Sequence, residues 1–145
     1  MTGRDRLSLI VFSGDYDRVH YAFVMASAAA ATNRPVTMFF TMGGIRALLA
    51  PHADSSPGWA ALAPADNGES AVDREAAHAR AGVATLEELI EACTELDVTL
   101  RVCEMGLVAE GLSSRNFRPE LSVTEGGMVS FLAEAENDRG RIIFI

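Results

Sequence analysis

Two stretches of this chain contain hardly a polar side chain: Leu7 to Phe12 reads LSLIVF, and Val36 to Phe40 reads VTMFF. A run of five or six apolar residues bounded by turn residues is the signature of a strand covered on both faces. Strands of that kind belong to a parallel sheet, because its crossover helices lie above and below it. Val98 to Val102 and Arg141 to Ile145 supply two further strands of the same character. The chain must therefore build helices between them.

It has the residues to do so. After Ser13-Gly14-Asp15, Val19, Phe23, Ala26 and Ala30 recur at helical spacing, with Asp15 or Asp17 as cap, until Asn33-Arg34-Pro35 ends the helix near Thr32. Thr41-Met42-Gly43-Gly44 closes the second strand, and Ile45 to Leu49 predicts a short helix before Pro51. Thr85 with Glu88 forms a capping box, and Leu86, Leu89, Ile90, Cys93 and Leu96 then share one face. Gly106 to Gly111 predicts another short helix, and Arg115 to Pro119 a loop. Gly126-Gly127 opens a helix carrying Met128, Phe131, Leu132 and Ala135, and Asn137-Asp138-Arg139-Gly140 turns into the last strand. A fifth strand has no clear place in this pattern.

Between Pro51 and Gly82 the periodicity lapses into PHADSSPGWAALAPADNGES, with one or two helical turns expected over Asp73 to Arg80. Trp59, Leu62 and Val72 are its sizeable apolar groups, which predicts a mobile flap near the strand ends. The expected architecture is one α/β domain, residues 1–145, with an irregular insertion at about 51–82. It has three layers: a mostly parallel sheet of about five strands with helices on both faces.

Composition narrows the function. The formal net charge is −8, and all 12 basic residues are arginine. Phosphate binding needs clustered positive charge, and Arg4 with Arg6 do not amount to that, so no nucleic-acid partner is expected. No apolar run approaches the roughly 18–20 residues of a membrane span, and none resembles a signal peptide. Cys93 and Cys103 form no disulfide framework and fit no zinc or C-x-x-C spacing. His20, His52 and His78 stand apart in sequence. No metal and no cofactor is expected, and the setting reads as cytoplasmic, with both thiols free. Glycine motifs for nucleotides and the G-x-S-x-G of many hydrolases are also missing.

In an open parallel sheet, ligands bind beyond the carboxyl ends of the strands. Three segments leave those ends: Ser13-Gly14-Asp15, Thr41-Met42-Gly43-Gly44 and Cys103-Glu104-Met105-Gly106. Their candidate binding residues are Ser13, Gly14, Asp15, Thr41, Gly43, Gly44, Glu104 and Met105. Cys103 is the candidate catalytic residue. A following helix would favour its thiolate, whereas Glu104 opposes it, and an arginine or His20 folded close by would offset Glu104. Spacing alone leaves Cys103 open between a functional thiol and a buried strand-end thiol. Cys93, on an apolar helix face, reads as a small hydrophobe.

The stretches SLIVFSGDYDRVHYAFVMASAAAATNRPVTMFFTMGGIRALL, GVATLEELIEACTELDVTLRVCEMGL and EGGMVSFLAEA resemble the DsrE/DsrF-like family, in particular its branch labelled peroxiredoxin-like. The features that carry the resemblance are Phe39-Phe40-Thr41 before a glycine turn and the Cys-any-Met segment Cys103-Glu104-Met105. The peroxiredoxin label itself finds no support, because the P-x-x-x-[TS]-x-x-C arrangement of a peroxidatic thiol is absent. The resemblance implies a flavodoxin-like fold and a homo-oligomer, a trimer or a multiple of it. It further implies a cysteine, here Cys103, that carries persulfide sulfur between a donor and an acceptor protein. A sulfur carrier or sulfurtransferase component is thus one reading. The other is a non-catalytic module binding a small ligand or partner in the same strand-end crevice.

Overall fold

All strand pairings in the computed structural model are parallel, in the order β4-β3-β2-β1-β5. The structure describes residues 5–137 and 139–145, so Arg4 and Asp138 of the sequence reading lie outside it. The strands are β1 (Leu7–Val11), β2 (Val36–Phe40), β3 (Thr99–Cys103), β4 (Val123–Gly126) and β5 (Arg141–Phe144). The helices are α1 (Tyr16–Ala31), α2 (Ala71–Ala81), α3 (Leu86–Glu95), α4 (Glu104–Glu110) and α5 (Met128–Asn137).

The chain steps from β1 to β4 in one direction, then returns to lay β5 on the far side of β1. Right-handed crossovers place the helices of an outward walk on one face and the helix of the return on the other. The core divides accordingly. Leu7, Leu9 and Val11 of β1 join Phe23 of α1 and Leu86 and Ile90 of α3 in the main cluster. Ile10, Phe39, Cys103 and Phe131 form a second, small cluster on the opposite face, under α5.

Several expectations shift. Phe12 falls outside β1 and is half exposed, its ring tilted against Phe144 with centroids 5.4 Å apart. The turn after β2 is a 3-10 run over Met42–Leu48, rather than a loop and then a helix over 45–49. β3 includes Cys103 and passes directly into α4 at Glu104, so the expected loop 103–106 does not exist. The missing strand is β4, whose last residue is Gly126.

The segment 51–82 is irregular only as far as residue 70, apart from a 3-10 turn at Gly58–Ala61; α2 then occupies Ala71–Ala81. It does not lie over Cys103 as a flap. Trp59, Leu62 and Ala71 are buried in the main cluster, on the other side of the sheet. Polar contacts fix it further. Glu75 of α2 accepts from the backbone N–H of Leu86 (2.6 Å) and Glu87 (3.0 Å), the first turn of α3, and from the Tyr16 hydroxyl. Burial, then that bond to Glu75, pushes the Tyr16 phenol upward. Trp59 Nε1 donates to Glu87 Oε1 at 2.9 Å, and Arg118 holds the same carboxylate through both Nη atoms.

His78 of α2 stacks on His20 of α1 with ring centroids 4.4 Å apart, and Tyr16 stacks on both. Burial first, then the charges of His20 and Arg74, holds His78 below its ordinary 6.5, against the opposing pull of Glu75 and Asp17. An unfolded chain takes up that proton near 6.5, while the folded chain resists it to lower pH. The contribution of neutral His78 is therefore present above about pH 6.5 and is lost as pH falls through its folded value. His78→Gln should flatten the decline in melting temperature between about pH 7 and pH 5. Parallel curves for parent and variant would show that His78 does not report on folding.

Candidate functional site

The three candidate segments do meet at the carboxyl edge of the sheet, and glycine is what lets them. Gly14 and Gly43 touch backbone to backbone: a Cβ on either would lie 2.9 Å from the other's Cα. Gly106 of α4 packs on the second segment, where a Cβ would come within 2.8 Å of Thr41 Oγ1 and 2.9 Å of the Met42 nitrogen. Gly44 sits against the Val11 carbonyl, and its N–H donates to the Phe12 carbonyl at 3.3 Å. The close approach expected of these glycines is to one another.

The candidates thus separate by task. Asp15 caps α1, accepting from the Arg18 backbone N–H at 2.8 Å and pairing with its guanidinium at 2.6 Å, while Ser13 donates to Asp15 at 2.9 Å. Burial works to raise the Asp15 carboxyl, but these bonds prevail and hold it below the usual carboxylate range. Gly14 accepts from the Ala63 N–H at 2.8 Å, and Thr41 is buried. Glu104 and Met105, in the first turn of α4, face solvent, with Met105 67% exposed. Gly43 and Gly44 are packing residues of the edge.

Cys103 has a different environment. Alternation along β3 turns Arg101 and Cys103 to the α5 face, and the thiol lies 5% exposed among Ile10, Phe39 and Phe131. His20 does not attend it: that ring is in contact with the Ala84 carbonyl at 2.8 Å, with α1 on the far face. The arginine on Cys103's own strand and face is Arg101, two residues back along β3, or about 6.6 Å at strand rise. Arg101 pairs with Glu134 of α5, whose other oxygen accepts from Thr37 Oγ1 at 2.9 Å; Arg6 donates to Thr37 at 2.9 Å. Sequence reasoning missed this Arg6-Thr37-Glu134-Arg101 chain. The polar residues standing in otherwise apolar strands, Thr37 and Arg101, were the available signal.

Cys93 is 1% exposed in the main core, its thiol pushed up to about 12 by burial. Both cysteines are free. Among the described residues, no three His, Cys, Asp or Glu side chains are grouped to hold a metal ion. Sizeable clefts lie elsewhere: one of about 340 Å³ at the amino end of β3, and one of about 360 Å³ beside His52 and Arg115. No helix among the described residues is long and apolar enough to cross a membrane.

Residues 3–59, which include β1, α1, β2 and the glycine edge, match the pattern of the DsrE/DsrF/DrsH-like family. The likeness to that family rests on this amino-terminal part of the chain. The chain is 27% identical over 150 residues to "Uncharacterized protein YrkE" of Bacillus subtilis (strain 168), covering 90% of this chain and 91% of that protein. Its fold is shared by the ychN protein from E. coli, with a TM-score of 0.58 at 12% identity, over 98% of this chain and all of that one. It is shared equally by MTH1491 from Methanobacterium thermoautotrophicum, with a TM-score of 0.59 at 11% identity and the same coverage. The DsrE/DsrF-like family is in general related to sulfur relay.

Proposed function

We propose that this chain is a sulfur carrier, or a sulfurtransferase component, that holds sulfane sulfur on Cys103. The observation that supports the reading most is the position of Cys103 at the strand-to-helix junction of an inner strand, on the sheet edge where open parallel sheets act. The Cys103 thiolate attacks the outer sulfur of a donor persulfide. The donor S–S bond breaks, the donor leaves as its thiolate, and Cys103 becomes the persulfide. An acceptor thiolate then repeats the exchange and restores Cys103. Each step is thiol–disulfide-type exchange without net oxidation, so it requires no cofactor, and it suits a reducing cytoplasm.

The test is the intact mass after exposure to a small persulfide donor. A gain of one sulfur that reductant removes supports the carrier. An unchanged mass favours the binding-module reading, which the burial of Cys103 in an apolar cluster would suit.

The same proposal includes a homo-oligomer, a trimer or a multiple of it. Phe12, just past the end of β1, is exposed, as are Ile142 and Phe144 of β5, and Val129 of α5 is 85% exposed. Apolar surface of this kind is usually covered by a partner. Light scattering should give a mass at least three times the 15.5 kDa of one chain, whereas a monomer at micromolar concentration would end this part of the proposal.

A further inference from the structure

In the small cluster that encloses Cys103, Phe131 is the member that comes from α5. Phe131 covers the thiol from that helix, stacked on Phe39 at 4.7 Å, and Ala135 is the other fully buried α5 residue. The apolar seal is small beside the main core on the opposite face.

What else holds α5 down is polar. Glu134 reaches back to Arg101 and Thr37. The floor beneath is imperfectly satisfied, since Ser8 Oγ and Arg101 Nε are buried without a partner. A buried polar group left unpaired weakens the docking of whatever covers it. Gly126-Gly127 precedes the helix, and a Cβ on either glycine would meet nothing within 4 Å. These glycines are not required by packing, unlike those at the strand-end edge. Gly126 is held in the ladder opposite Cys103, and Gly127, between β4 and α5, leaves the chain free to turn at that joint.

We propose that α5 is a lid over Cys103, hinged at Gly127 and latched by Glu134 to Arg101 and Thr37, which opens while the main core stays folded. The proposal rests on Cys103 being a thiol that must be reached, as the sulfur-carrier reading requires. Its test reads access alone and needs no sulfur transfer.

The two free cysteines supply the experiment. Cys93 lies in the main core and is exposed only when that core opens, whereas Cys103 is exposed by movement of α5. The intact protein is treated with iodoacetamide in native buffer, and labelling of each thiol is followed by peptide mass. Cys103 should be alkylated at least about tenfold faster than Cys93, the factor expected when the covering contacts are worth less than the whole fold. Glu134→Gln, which keeps the shape but weakens the latch, should raise the Cys103 rate by a further factor of about ten and leave Cys93 unchanged. Phe131→Ala should raise it as well.

Equal rates for the two thiols in the parent would overturn the lid, since Cys103 would then be reached only through global unfolding. So would variants that speed both thiols alike, or neither. Selective labelling without a mass gain from a persulfide donor keeps the lid and removes the carrier; a mass gain with equal labelling does the opposite.

Discussion

Cys103→Ala is expected to abolish the one-sulfur mass gain, while Cys93→Ala loads as the parent does. The two thiols differ in reach rather than in kind. Cys93 is embedded between α1 and α3, its nearest polar contact the Phe23 carbonyl at 3.9 Å, and burial makes its thiolate scarce. Cys103 lies instead in the small cluster that includes Phe131 of α5. Alanine is the informative replacement at Cys103. Serine would leave a hydroxyl among Ile10, Phe39 and Phe131 at a cost of about 1–3 kcal/mol, confusing lost chemistry with lost stability. Alanine removes one buried atom, and the expected penalty is about 1 kcal/mol. Intact mass spectrometry after donor treatment, with a melting curve on each variant, separates the effects. Full loading of Cys103→Ala would refute the assignment.

Gly44→Ala should cost about 3 kcal/mol, the upper part of the overpacking range, and lower the melting temperature by about 10 °C. A Cβ at Gly44 would overlap the Val11 carbonyl oxygen and lie 3.0 Å from its carbon. Neither partner can withdraw cheaply. The same carbonyl accepts from the Thr41 N–H at 3.1 Å, and Gly44 donates to the next carbonyl, that of Phe12. Relief would have to separate the ends of β1 and β2. Gly126→Ala, in open space, is the control and should melt within about 0.5 kcal/mol of the parent. Equal melting of the two variants would mean the strand-end edge is looser than its backbone contacts indicate.

Much of this architecture was legible because buried parallel strands announce themselves. LSLIVF and VTMFF have no other good use, and the capping box at Thr85 fixed the start of α3 to the residue. β4 escaped notice for a physical reason. It is a four-residue edge strand, VTEG, with one side open to water, so it needs neither length nor an apolar run. The order of residues 51–82 escaped for another. Its anchors are a capping carboxylate, stacked rings and an indole bonded to Glu87, all formed with residues distant in sequence. At the candidate site, the convergence of three segments was predictable from topology. That their glycines would face one another was not, because a glycine in a turn looks the same whether a ligand or another backbone approaches it. The orientation of Cys103 followed from where β3 ends, one residue later than expected.

The pairing of β5 with β1 also sets a timetable. As the chain leaves the ribosome, β1 to β4 can align in the order in which they emerge, each beside its predecessor. The outer edge of β1 meanwhile stays bare, with its unpaired N–H and carbonyl groups offered to any passing strand. Only when Arg141–Phe144 appears is that edge closed, and α5 must already have crossed beneath the sheet to deliver it. The helix that covers Cys103 and the strand that seals β1 are therefore a single late-arriving piece. A nascent chain stalled before them would display an accessible thiol beside a sticky edge, the state in which a chaperone would be needed most.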